Sequence, residues 1–301
     1  MKKFLIQLSK YFLIIALIAN LLSLISNFLL KRSSIFKASF LVNNFDPEQA
    51  FDYFIIGSSR GLTSIGSEEI DQKLTTRGIN LSQDDTGLPS QLLMAKHFFE
   101  SGFRASYCIL VLDEPDFEHS SMQINDNDYR MAPYLQRDYI YDYFRERERG
   151  IIRPYTLGKY VPAVLYSYYN TELFIPSLFT LFRPTYRHRF DQYGNYTYPD
   201  SQLNPENESL KFIQVQKKIS NTLLYEFEEY LRTRGCQLIL YVAPYENREL
   251  IIQQEVKAPL INHSSTLLEN SYFYDPIHLN EKGKLEASSL LAKELQPLFQ
   301  K

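Results

Sequence analysis

The sequence predicts a doubly wound α/β domain with a parallel sheet, placed behind an N-terminal membrane helix. Three observations predict it. The stretches at 51–57 (FDYFIIG), 106–112 (SYCILVL) and 237–242 (QLILYV) are continuous apolar runs, as expected of parallel strands covered on both faces. Helical patterns separate these runs, the order that builds βαβ units. Ahead of them all, the 20 positions from Tyr11 to Leu30 carry no charge.

At about 1.5 Å per residue that run reaches about 30 Å, the thickness of bilayer hydrocarbon. Its length, and the lack of a small-x-small site after it, favour an uncleaved anchor over a cleavable signal peptide. Lys2, Lys3 and Lys10 flank one end and Lys31, Arg32 and Lys37 the other, so charge alone leaves orientation nearly tied. Asn20, Ser23 and Asn27 fall on one helical face. They are either tolerated singly or form a polar stripe for another membrane helix, from a multi-span partner or a second copy.

The first strand, 51–57, stops at a Gly-Ser turn. Ser67, with Glu68 and Glu69 behind it, opens a helix to Leu74. Ile79–Ser82 is a short strand candidate, and Leu88–Glu100 a helix stopped at Gly102. Asn204-Pro205-Glu206 reads as a cap followed by proline. Phe212, Val215, Ile219, Leu223 and Phe227 then continue one long amphipathic helix to Gly235. A weaker strand near 259–261 and a helix over about 280–298 close the chain. Residues 113–205 interrupt this rhythm. They hold 14 of the 23 tyrosines and read as an insertion at the ligand-binding end of the sheet. The expected division is an anchor at 1–37 and an α/β domain at 38–301 carrying that insertion.

A net charge of −3 gives no basic footprint, which argues against a nucleic-acid partner. Cys108 and Cys236 are too few for a disulfide framework or a structural zinc site. The chemistry is carried by two short stretches. In Gly57-Ser58-Ser59-Arg60-Gly61 a serine follows a buried strand. Its hydroxyl is then exposed on a sharp turn, and the following backbone amides are offered to an oxyanion. In Asp275-Pro276-Ile277-His278 a carboxylate can hold one ring nitrogen while the other faces outward as a base.

Together these stretches resemble the SGNH, or GDSL, hydrolase superfamily over roughly residues 51–301, the middle insertion excepted. Gly57-Ser58-Ser59 matches its Gly-Asp-Ser block, and Asp275 to His278 matches its final Asp-x-x-His block. The resemblance implies Ser59 as nucleophile, His278 as base and Asp275 as its orienting group. It implies an oxyanion hole from the amides of Ser59 and Gly87. The "GSSRG" form with an N-terminal anchor is most similar to membrane-bound members acting on acyl groups of cell-surface polymers, with the soluble part outside the cytoplasm. The implied substrate is an acylated glycan or polymer, and the implied reaction ester hydrolysis or O-acyl transfer, without a cofactor or metal. Arg60 and Asp113 stand where they can touch substrate. Arg183 and Arg187, in RPTYRHRF, could meet an anionic polymer or phospholipid headgroups, or form a solvated basic face. One departure matters: the family's third block supplies an Asn, and here the strand ends Val111-Leu112-Asp113-Glu114. An ionised Asp cannot donate to an oxyanion. This keeps open a different class of function, a weakly catalytic module that binds glycan or scaffolds an assembly.

Overall fold

The computed structural model describes residues 1–199 and 212–299. Two compact units form: one from residues 1–45 with 128–188, the other from 46–127 with 189 onward. The tyrosine-rich segment expected to belong to the α/β domain thus gathers, over 128–188, with the N-terminal helices. Residues 38–45 do the same.

In the second unit the first seven strands are β1 (Phe51–Ile56), β2 (Gly78–Asn80), β3 (Ala105–Val111), β4 (Ile213–Ile219), β5 (Gln237–Val242), β6 (Arg248–Gln254) and β7 (Leu260–Asn262). A five-stranded parallel sheet runs β2-β1-β3-β5-β7. The strand before Ser59 is one place from the centre, and β3 is the centre. Both outer strands are only three residues long, which leaves little open edge for unwanted pairing. Successive side chains alternate between the two faces. Tyr53, Ile55, Ile109, Val111, Ile239 and Tyr241 pack on one face with Ile70 of the helix Ser67–Leu74 and Leu291 and Leu295 of the helix Glu281–Phe299. On the other face Phe54 stacks on Phe98 of the helix Leu88–Glu100, ring centroids 4.4 Å apart. Cys108 is buried among these strands and, like Cys236, is a free thiol. Burial pushes the Cys108 thiol upward in pKa.

One expectation is corrected. The start of the predicted helix, Asn204 to Lys211, lies outside the described residues. Beyond it the chain forms β4, then a helix only over Thr222–Thr233. Phe212, Val215 and Ile219 fit a helical spacing. However, Ile213-Gln-Val215-Gln-Lys217 also alternates, and β-branched residues favour a pleated strand. β4 pairs in parallel with β6 as a separate two-stranded ladder. Asn221 opens the helix, its Oδ1 accepting from the Leu223 amide at 3.0 Å.

In the first unit the long helix covers Lys2–Lys31 and is long and apolar enough to cross a membrane. Its polar stripe meets this same chain: Asn20 Oδ1 accepts from the Ala163 amide at 3.2 Å and Asn27 Oδ1 from the Tyr166 hydroxyl at 3.0 Å. Ser23 donates back to the Ala19 carbonyl within its own helix.

Candidate active site

β1 delivers the chain to Gly57 at the carboxyl edge of the sheet, where it turns into a short helix, Ser59–Ser64. Glycine is required at 57 because a β-carbon there would stand 2.8 Å from Val111 Cβ and 3.1 Å from its carbonyl oxygen. The Ser58 hydroxyl caps the helix, accepting from the Arg60 amide at 3.2 Å. Ser59 is left facing outward at the first helical position.

The second stretch arrives on a tight antiparallel pair, β8 (Phe273–Asp275) and β9 (His278–Leu279), joined through Pro276 and Ile277. Asp275 Oδ1 accepts from the amides of Ile277 and His278 at 3.0 and 2.9 Å. Its Oδ2 lies 2.7 Å from His278 Nδ1. Burial pushes the Asp275 carboxyl up, but the ring and the two amides outweigh it and leave its pKa below the ordinary carboxylate value. An ionised carboxylate only accepts, so Nδ1 carries the proton that it receives, which leaves Nε2 to serve as the acceptor toward Ser59. His278 Nε2 stands 2.8 Å from Ser59 Oγ, within reach for proton transfer. Residues 219 apart in sequence therefore meet in one hydrogen-bonded line, Ser59–His278–Asp275.

Two cavities meet at Ser59. One, about 490 Å³, is lined by Ser59, Gly87, Asp85, Asp113, Asp116 and Asn125 among others. Among the described residues the Ser59 and Gly87 amides have no acceptor, and both predicted oxyanion donors line this one space, together with the carboxylates of Asp85, Asp113, Asp116 and Asp126. The other, about 500 Å³, runs past Arg60, Glu114, Tyr245, Lys217, Arg248 and Ile277. There Glu114 is held between Lys217, at 2.6 Å, and Arg248, at 2.5 Å.

Arg60, expected from the sequence to stand where it can touch substrate, lines that second cavity while most of its side chain turns inward. It is 3% exposed. Its Nε donates to the Ile277 carbonyl at 3.2 Å and its Nη2 to the Ala243 and Pro244 carbonyls at 2.5 and 3.0 Å. The guanidinium also lies 3.6 Å from the Tyr245 ring centroid. Arg60 is thus a latch joining the serine turn, the end of β5 and the histidine loop. Asp113 lines both cavities, with one oxygen 3.6 Å from Arg60 Nη1. Arg183 and Arg187 belong to the first unit, whereas every residue of this site comes from the second. Sequence reasoning also missed Tyr198, which stacks on Tyr274 at 4.2 Å and covers the His278 ring at 5.5 Å; its only signal was membership of the tyrosine-rich stretch.

Asp116, in the carboxylate-lined cavity, is pushed up to about 6, chiefly by burial, with the Ser120 hydroxyl opposing and Asp113 adding to the rise. A folded-state pKa above the unfolded one means the native state holds the extra proton. Stability linked to Asp116 is therefore full below about pH 4 and is lost as pH rises through about 6. Asp116→Asn is expected to remove that loss, raising stability at pH 8 by up to about 3 kcal/mol relative to its effect at pH 4. Urea unfolding at the two pH values reads this difference; equal effects at both would show that Asp116 does not titrate there.

Compared with known protein families and with curated proteins, the chain matches none.

Proposed function

We propose that this protein is a membrane-anchored serine esterase or O-acyltransferase of the SGNH type, acting on an acylated glycan or polymer of the cell envelope. The observation that carries this reading is the unbroken contact line from Ser59 Oγ through the His278 ring to the Asp275 carboxylate, at 2.8 and 2.7 Å. Ser59 Oγ attacks the acyl carbonyl while His278 Nε2 takes its proton, and Asp275 stabilises the imidazolium. The amides of Ser59 and Gly87 receive the oxyanion. As the tetrahedral intermediate collapses, His278 returns the proton to the departing alkoxide and leaves acyl-Ser59. Water or a sugar hydroxyl, deprotonated by His278, then takes the acyl group, and His278 passes that proton to the departing Ser59 Oγ. The carboxylates around Gly87 disfavour an anionic substrate group and oppose part of the stabilisation that the two amides give the oxyanion, so a neutral or cationic part of the substrate fits that side. The soluble part is placed outside the cytoplasm, where such polymers lie.

Asp113, standing where the resemblance calls for an Asn donor, favours a second reading: a slow or inactive module that still binds the polymer. Losing one oxyanion donor costs about a hundred- to a thousandfold in rate. Serine-directed fluorophosphonate separates the two. The full chain in detergent is expected to label once, at Ser59; Ser59→Ala removes the label and Ser58→Ala keeps it. A folded chain that never labels favours the binding module.

A further inference from the structure

The first unit holds a second apolar segment. Between Lys159 and Arg183 the only charged residue is Glu172. This stretch forms the helices Pro162–Tyr168 and Ile175–Phe182, joined by a wide turn over Asn170–Phe174. Its polarity is inverted for a helix in water. The inward positions of the second helix are Ser177 and Thr180, 0% and 2% exposed, whereas Ile175, Leu181 and Phe182 are 56%, 55% and 82% exposed. The long helix repeats the pattern, burying Ser23 and Ser26 and exposing Leu17, Leu21, Leu24 and Phe28. Small hydroxyl residues inside and large apolar ones outside is how helices pack in lipid, where the surroundings are as apolar as leucine. The buried hydroxyls of this second helix are satisfied locally, Ser177 by the Phe174 carbonyl and Thr180 by that of Ser177.

Depth follows from the partners. The Ala163 amide, at a helix start where amides lack intrahelical partners, is taken up by Asn20. Asn20 lies 31 − 20 = 11 residues before Lys31, about 16 Å at 1.5 Å per residue and so near the middle of about 30 Å of hydrocarbon. The chain lies at the Lys31 level before and after the segment. Before it, the Tyr134 ring lies under the Lys31 ammonium. The Pro184 carbonyl accepts from the Ser34 amide. Arg183 and Arg187 follow at once, at the depth of Lys31 and Arg32, where anionic headgroups lie.

We propose that residues 160–182 are a re-entrant membrane element, entering the lipid leaflet at the Lys31 end of the first helix and returning on the same side. Asn20 and Asn27 are then internal fastenings of this element, which satisfy polar groups that hydrocarbon cannot. The inference rests on the long helix spanning the bilayer, and the test separates the two.

The chain has no Trp, so single replacements report one place each. Leu178→Trp, Phe182→Trp, Leu17→Trp in the long helix and Tyr225→Trp on an exposed face of the second unit would be placed in phosphatidylcholine–phosphatidylglycerol vesicles containing chain-brominated lipid. The Leu178→Trp and Phe182→Trp proteins are expected to lose about half or more of their emission to the bromines, like Leu17→Trp, and to resist aqueous iodide. Tyr225→Trp should behave oppositely. Bromine quenching of Leu17→Trp alone, with iodide reaching positions 178 and 182, would overturn the re-entrant element while leaving the span. Shielding of those two positions from both quenchers would mean protein covers them, and overturns it equally. A Leu17→Trp protein untouched by bromine would remove the span and the inference together.

Discussion

His278→Ala is expected to slow acylation of Ser59 by roughly 10⁴- to 10⁶-fold, the range seen when a triad loses its base. Among the described residues the base that Ser59 Oγ meets is the His278 ring, at 2.8 Å, and a serine hydroxyl is a weak nucleophile without proton removal. Asp275→Asn should cost about 10⁴-fold by a different route. Its oxygen can still accept from the Ile277 and His278 amides, so the loop holds. Its amide, however, points N–H groups at Nδ1, which forces the proton onto Nε2 and turns the base into a donor. Stopped-flow measurement of fluorophosphonate capture checks both. An Asp275→Asn protein as fast as the original would mean that the carboxylate does not set the tautomer, and an unaltered His278→Ala would remove the histidine from the mechanism.

The second large effect is on stability. Arg60→Met is expected to cost about 3–5 kcal/mol, because one buried cation satisfies three carbonyls and none of these gains a new donor. Arg60→Lys should recover only part of the loss: a single ammonium cannot fork between the Ile277 carbonyl and those of Ala243 and Pro244. Urea midpoints of the three proteins give the order. If Arg60→Met unfolds within about 1 kcal/mol of the original, the arginine is not the latch between the serine turn and the histidine loop.

Much of the sheet was legible because its central strands are runs of large apolar residues. FDYFII and QLILYV need no partner to be recognised, and both lie where expected. The helix Ser67–Leu74 was legible from its acidic first turn. β4 was not, because IQVQKKI satisfies a helical and a strand period at once, and only pairing with β6 decides between them. The candidate triad was legible as two local patterns, since each needs only a few consecutive residues. The latch role of Arg60 was hidden for the opposite reason. Its neighbours, at 243, 244 and 277, are remote in sequence, and a charged residue beside a nucleophile looks the same whether it faces in or out. The place of 128–188 beside the N-terminal helix was hidden likewise: Asn20 and Asn27 announced a partner but not that it lay in the same chain.

The in-register pairing of Val111 with Tyr241 sets a timetable for synthesis. These neighbours are 241 − 111 = 130 residues apart, and the whole 128–188 segment is made between them. At about 5–20 residues per second, β3 waits roughly 6 to 26 s for the strand that covers its second side. Through that interval the most apolar strand of the sheet has one bare edge on a nascent chain. The 160–182 segment is complete before the sheet can close, because β5, the strand that covers the open edge of β3, is made after it.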